Sequence, residues 1–161
     1  MKAISSPTSY LGLTALLLVS ACAEATPDRR ADVAARGAEV MPFNLDRSTH
    51  VFAATDDGGV QTVRSDDGDA EQIGLIRAHL QEEAARFARG DFHDPAMIHG
   101  GDMPGLHALV VGAERLSIEY RDVDGGGEIS YSSADPELIT AIHEWFTAQR
   151  SDHGEHAQGA H

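Results

Sequence analysis

The segment HGGDM at 99–103 combines residue types that could bind a metal ion. It places the imidazole of His99 and the thioether of Met103 four residues apart, across two flexible glycines, so that both could close on one ion. A thioether is a soft ligand and an imidazole a borderline one, which favours copper over zinc, calcium or magnesium. The segment therefore predicts a copper site, with zinc as a second choice. The alternative is that a short helix starts at 103–106 and that Met103 packs in the core.

Three further histidines are candidate ligands for the same ion. His153 lies about one turn beyond the second predicted helix, nearly in line with its apolar face, and His143 flanks that face. His50 is expected to point inward from an otherwise apolar strand, where a buried, hydrogen-bonded core histidine is the alternative. Convergence of these three with His99 in one pocket would indicate a metal or catalytic site, whereas scattered histidines would argue against both.

The remaining histidines have simpler interpretations. His79 and Glu83 are spaced as an ordinary pair on a helix surface. His156 and His161 belong to a polar tail that we expect to be solvated.

The elements that position these residues form a weak internal duplication. Each half contains two short strands around a glycine turn, followed by an amphipathic helix. The predicted strands are His50–Asp56, Val60–Ser65, Leu116–Val123 and Glu128–Ser133. The apolar helix faces are Ile73, Ile76, Leu80, Ala84 and Phe87 in the first half, and Leu138, Ile139, Ile142, Trp145 and Phe146 in the second. The pattern predicts an α+β fold in which duplicated β-β-α units form a four-stranded antiparallel sheet with two helices on one face.

The N-terminus resembles a bacterial lipoprotein signal peptide. A short positive start precedes an apolar, uncharged run over 10–21, which is too short to span a membrane as a helix. The run ends in VSAC at 19–22, which resembles the lipobox whose cysteine is acylated and becomes the new N-terminus. Residues 1–21 are thus predicted to be a signal peptide and Cys22 the lipidation site, on the periplasmic side of the outer membrane. Ordinary cleavage after Ala25 is the alternative.

The mature chain divides into a tether, a domain and a tail. Residues 22–40 are Ala-rich and polar, without an apolar stripe, and are expected to form a lipid-anchored tether with a nascent helix at 30–39. Residues 41–152 are predicted to form a single α+β domain, and 153–161 a histidine-containing tail. The insertion 90–109 fits neither repeat and carries histidines and methionines, as functional loops often do.

Composition excludes several classes of function. The formal charge is −14, from 26 acidic and 12 basic residues, which disfavours nucleic acid and anionic lipid as partners. The single cysteine is Cys22, so no disulfide is expected and no thiol nucleophile remains after acylation. The sequence has no GxSxG elbow, P-loop, GxGxxG or CxxCH haem motif.

Several segments resemble a group of small bacterial proteins that are often labelled aspartate carbamoyltransferase. They are RGAEVMPFNLD at 36–46, THVF at 49–52, GGVQ at 58–61, IHG at 98–100, MPGL at 103–106, and IHEWF at 142–146 through DHG at 152–154. The resemblance covers roughly residues 35–156 and implies no catalytic residues, because the group has no established activity.

The label itself conflicts with this chain. An aspartate carbamoyltransferase needs two α/β domains and a Ser-Thr-Arg-Thr phosphate loop, to which the nearest sequence here is RSTH at 47–50. The chain is too short for two such domains and lacks a basic cluster to hold carbamoyl phosphate. Carbamoyl transfer is therefore rejected.

Three functional expectations follow from the sequence. The first is an exported lipoprotein that binds copper, or else zinc, for metal buffering or delivery, and that is not itself an enzyme. The second is an envelope lipoprotein without a metal that engages a protein partner. The third is a metal- or histidine-dependent hydrolase.

Overall fold

The structure, a computed structural model, describes residues 26–154 and 157–159. The signal peptide, Cys22 and the tail residues His156 and His161 lie outside the described residues. The helices are α1 (Pro27–Val40), α2 (Ala70–Phe87), α3 (His93–His99), α4 (Leu106–Gly112) and α5 (Pro136–His153). The strands are β1 (Ser48–Thr55), β2 (Gly58–Ser65), β3 (Ser117–Val123), β4 (Gly126–Ser132) and β5 (Ala157–Gly159).

The two predicted hairpins form one sheet. β1 pairs with β2 and β3 with β4, both antiparallel, and the hairpins join through an antiparallel β2–β4 pairing. This confirms the predicted four-stranded antiparallel sheet. The short β5, within the segment assigned to the tail, adds a fifth strand parallel to β1, so the strand order is β3-β4-β2-β1-β5.

The helices α2 and α5 cover one face of the sheet. α2 packs on β3 and β4, while α5 packs on β1 and β2, so each helix covers the hairpin of the other unit. The predicted apolar faces are buried, except that Ile73 and Ile139 are half-buried. Asp69 and Asp135 cap the two helices, since their side chains accept hydrogen bonds from backbone N–H groups of the first turn.

The insertion 90–109 is folded as α3 and the start of α4, joined by a glycine-containing turn. Gly105 has φ +77°, and a Cβ there would lie 2.1 Å from the backbone oxygen of Ala141. Only glycine therefore allows the start of α4 to approach α5 so closely.

The expected tether contains a packed helix. α1 spans Pro27–Val40 and buries Val33, and two of its three arginines bind the end of α3. Arg29 Nη2 donates to the carbonyl oxygen of His99 at 3.0 Å, and Arg36 Nε to that of Ile98 at 2.6 Å. Carbonyls at a helix C-terminus lack intrahelical partners, so arginines can dock one helix on another without an apolar stripe. In the described part of the chain, no helix combines the length and apolar character that crossing a membrane requires.

Candidate functional site

A small cavity lies between α2, α5, the first hairpin and the end of α3. α2 contributes His79 and Glu83, at a spacing of four residues, and β2 contributes Gln61. α5 contributes Trp145, Gln149 and His153, again at spacings of four, which places all three on one face of that helix. The cavity volume is about 30 Å³, room for an ion with one or two water molecules.

Three histidines meet at this cavity, and we call His50, His99 and His153 the histidine cluster. The rings of His50 and His153 are stacked, with centroids 5.3 Å apart and an interplanar angle of 2°. His99 stands edge-on to His153, with centroids 4.9 Å apart. The cluster joins β1, the end of α3 and the end of α5, which are far apart in the sequence.

A buried carboxylate orients His99. Asp152 is 4% exposed, and its Oδ2 lies 2.9 Å from His99 Nδ1. Arg29 binds the same carboxylate in a bidentate manner, with Nε–Oδ1 and Nη2–Oδ2 distances of 2.7 Å. Burial raises the pKa of the Asp152 carboxyl, but hydrogen bonds from Arg29 and His99 outweigh it and hold the pKa below its ordinary value. An ionised carboxylate only accepts, so Nδ1 of His99 carries the proton it donates.

His99 is therefore a neutral imidazole. Burial lowers its pKa below the ordinary value, although the hydrogen bond to Asp152 opposes this shift. With the proton on Nδ1, the lone pair lies on Nε2. A carboxylate that holds one nitrogen of a histidine is the usual support for a metal ligand, and also for a general base.

The wall opposite the cluster carries a buried acid. Glu83 is 5% exposed and His79 is half-buried, so the two do not form the surface pair that their spacing predicted; both residues line the cavity. Burial and the nearby carboxylate of Asp94 raise the pKa of Glu83 to about 8, although Arg86 opposes the shift. Glu83 is thus largely protonated at neutral pH.

Two polar atoms in the cavity wall have no hydrogen-bond partner among the described residues. They are Nε1 of Trp145 and Oε1 of Gln149, on residues that are 1% and 5% exposed. Leaving a buried polar atom unpaired costs about 1–3 kcal/mol. A donor and an acceptor of this kind are suited to a small polar guest.

A larger groove adjoins the cavity on the side of α1. It has a volume of about 520 Å³ and is lined by Arg30, Asp46 and other residues of α1 and the 44–46 turn. Phe43, His50 and His153 line both the groove and the cavity. Two members of the histidine cluster therefore face both the cavity and the groove.

Two of the five predicted ligands lie elsewhere. Met103 packs in the hydrophobic core and does not line the cavity, which agrees with the alternative interpretation of its segment. Nε2 of His143 donates to the carbonyl oxygens of Thr55 and Gly58, at 3.0 and 2.8 Å, and so holds α5 to the first hairpin. The structure brings together His50, His99 and His153.

Sequence reasoning missed much of the cavity wall. Met41 lines it and supplies a thioether that Met103 does not. Trp145 and Gln149 could have been found as wall residues, because they precede the predicted ligand His153 at intervals of four residues on a predicted helix. Arg29 and Asp152 left no signal, since they are 123 positions apart.

We expect Met103→Leu to leave metal binding unchanged and to cost less than about 1.5 kcal/mol of unfolding free energy, because it replaces one buried apolar side chain by another of similar volume. Urea unfolding and metal content of the variant test this. Loss of metal with the fold intact would show that Met103 is a metal ligand.

Within residues 26–154 and 157–159, no three His, Cys, Asp or Glu side chains are already grouped as a site that could hold a metal ion.

Comparisons with protein-family models, with curated proteins and with solved structures find no match to this chain.

Proposed function

We propose that the protein binds one transition-metal ion, copper in preference to zinc, through the histidine cluster. The observation that carries this proposal is the meeting of His50, His99 and His153 at one small buried cavity, with His99 held by Asp152. Imidazole nitrogen is a common ligand for copper and zinc, and a carboxylate behind the imidazole fixes its tautomer. Since the three side chains are not grouped as a closed site, binding requires the rings to turn toward the ion.

The cavity favours copper for a further reason. The thioether of Met41 lines the same cavity, and a soft sulfur ligand beside imidazoles suits copper better than zinc. Met41 thus takes the role that the sequence suggested for Met103.

The cavity also argues for an ion over an organic substrate. Sites for small organic molecules usually measure about 300–1,000 Å³, far more than this interior cavity, although the adjoining groove of about 520 Å³ falls within that range. The described residues lining the cavity include no serine, threonine or cysteine, so a side-chain nucleophile is missing beside His99. A hydrolase function is therefore less well supported, although His99 and Asp152 are arranged as a general base and the carboxylate that orients it.

The proposed cellular role is metal buffering or delivery at the envelope. The lipobox-like segment at 19–22 supports export and attachment of Cys22 to the periplasmic side of the outer membrane. The predominance of acidic side chains is compatible with cation handling and disfavours nucleic acid as a partner.

A second candidate is an interaction protein without a metal. Met97, Val110 and Val111 are large apolar side chains exposed on α3 and α4, and they could contact an envelope protein. A folded chain that binds no metal would make this candidate the better one.

The test is the metal content of the full chain, purified without a His tag from cells supplied with copper and zinc. We expect about one copper per chain in the wild type and in His143→Ala, and a small fraction of that in His99→Ala. His143 is the matched control, because it is a hydrogen-bonded histidine of α5 outside the cavity. Thermal unfolding of each variant shows whether the fold is kept. A folded wild type without metal, or equal loss in both variants, contradicts the proposal.

A further inference from the structure

Among the described residues, the wall of the small cavity holds one hydrogen-bond donor and one acceptor that no protein group uses. Nε1 of Trp145 can only donate, and Oε1 of Gln149 can only accept. Both residues are more than nine-tenths buried and line the cavity. A guest that satisfies both atoms must accept one hydrogen bond and donate another.

The charges around the cavity favour an uncharged guest. The described side chains that line it include no lysine, arginine or aspartate. Burial lowers the pKa of His79 and of His99 and raises the pKa of Glu83 to about 8, so these three groups are largely uncharged at neutral pH. A charged guest would lose its hydration without meeting an opposite charge. A carboxylate only accepts and an ammonium group only donates, so neither would pair with both unused atoms.

The cavity limits the size of the guest's polar head, and the adjoining groove has room for a larger body. The cavity, at about 30 Å³, holds about two or three non-hydrogen atoms. The groove, at about 520 Å³, has the usual size of a site for a small organic molecule. Phe43, His50 and His153 line both spaces, so a molecule in the groove lies next to the cavity.

The side chains shared by the groove and the cavity are flat rings. Those of His50 and His153 are parallel within 2°, and the ring of Phe43 lies 6.1 Å from that of His50. An aromatic body packs well against such rings. On the side of α1, the groove is lined by the small side chains of Ala34 and Ala38, which leave room for that body.

We propose that the groove and the cavity together bind an aromatic primary carboxamide. Its ring lies in the groove against Phe43 and the histidine rings. Its carboxamide enters the cavity, where the oxygen accepts from Trp145 Nε1 and the N–H donates to Gln149 Oε1. A primary carboxamide carries both functions without a charge on a head small enough for the cavity. The proposal does not rest on metal binding, and an ion at the histidine cluster would occupy the same small space.

The test of the cavity is a titration of the metal-free full chain with benzamide, followed by the nitrogen–proton NMR signal of the indole. Trp145 is the only tryptophan, so this signal reports on the cavity alone. We expect a saturable shift with a dissociation constant of about 1 mM or below. Gln149→Leu should bind benzamide about 10-fold more weakly, because the carboxamide N–H then lacks its acceptor. Acetophenone, which accepts but does not donate, should bind the wild type about 10-fold more weakly than benzamide and should lose nothing in Gln149→Leu.

The test of the groove is a matched pair of double variants in α1. Ala34→Phe with Ala38→Phe fills the groove and should weaken benzamide binding by about 10-fold or more. Ala31→Phe with Ala35→Phe makes the same changes at exposed positions of α1 that do not line the groove, and should bind benzamide as the wild type does. None of these variants adds or removes a tryptophan, so the indole signal is kept.

The outcomes separate this proposal from the binding of metal. An indole signal that benzamide does not shift would mean that the cavity holds only water and would overturn the proposal. Equal benzamide affinity in the wild type, Gln149→Leu and the groove variant would place the ligand elsewhere and also overturn it. If Gln149→Leu fails to fold, the comparison of benzamide with acetophenone on the wild type decides the contacts in the cavity. None of these results depends on whether the protein also binds copper.

Discussion

Asp152→Asn is expected to lower the free energy of unfolding by about 3 kcal/mol or more and to weaken copper binding by about 10- to 100-fold. The carboxylate is buried between a bidentate arginine and His99, so removing its charge leaves both hydrogen-bond donors poorly satisfied. Arg29 is 45% exposed and can recover some hydration, which places the stability loss near the lower end of the range for buried pairs. Urea unfolding and copper competition with a chelator measure the two effects.

Asp67→Asn is the matched control for this change. Asp67 also pairs with an arginine, Arg47, but both side chains are more than two-fifths exposed. An exposed ion pair contributes little to stability, and Asp67 lies outside the cavity lining. If Asp152→Asn behaved like Asp67→Asn in stability and in copper affinity, the support that we assign to Asp152 would be wrong.

The contribution of Glu83 to stability is expected to fall as the pH rises from about 5 to 9, and Glu83→Gln should remove that fall. The pKa of Glu83 is raised from 4.5 to about 8 in the folded chain, with burial as the largest cause. Below the pKa that Glu83 has in the unfolded chain, its carboxyl is protonated in both the folded and the unfolded states. Its contribution to stability is then fully present. As the pH rises toward 8, the unfolded state releases its proton first, and stability is lost up to the folded pKa. The loss from this group is at most about 5 kcal/mol.

The measurement is urea unfolding of the wild type and Glu83→Gln at pH 5 and pH 9. Because glutamine does not ionise, the free energy of unfolding of the variant should rise relative to that of the wild type as the pH rises. Glu82→Gln, an exposed neighbour on the same helix, should follow the wild-type pH profile. Parallel profiles for Glu83→Gln and the wild type would mean that Glu83 is ionised in the folded chain at neutral pH.

Much of the fold could be predicted because it follows from local periodicity. The glycine turns at 58–59 and 125–127 separate strand-like runs, and the apolar residues of α2 and α5 repeat at helical spacing. The same pattern correctly placed His50 inside, since its strand neighbours alternate between the core and the outer face. These inferences need only residues that are close together in the sequence.

The site could be predicted only in part, because its contacts are long-range. The sequence indicated three histidines of the cluster but could not tell which methionine shares their cavity. Met41 and Met103 have similar chemistry, and only the folded structure shows that Met41 lines the cavity while Met103 packs in the core. The spacing of His79 and Glu83 revealed a shared helix face but not that other segments cover it. The packing of α1 on the domain was missed, because arginine–carbonyl hydrogen bonds leave no hydropathy pattern.

The docking of α1 has a consequence for how far the protein can reach. If Cys22 carries the lipid, only the five peptide steps from Cys22 to Pro27 separate the anchor from a helix that is packed on the domain. A fully extended chain of that length spans at most about 18 Å. The domain would then stay near the surface of its own bilayer, and any exchange of metal would take place with partners that diffuse along the same membrane or come to it.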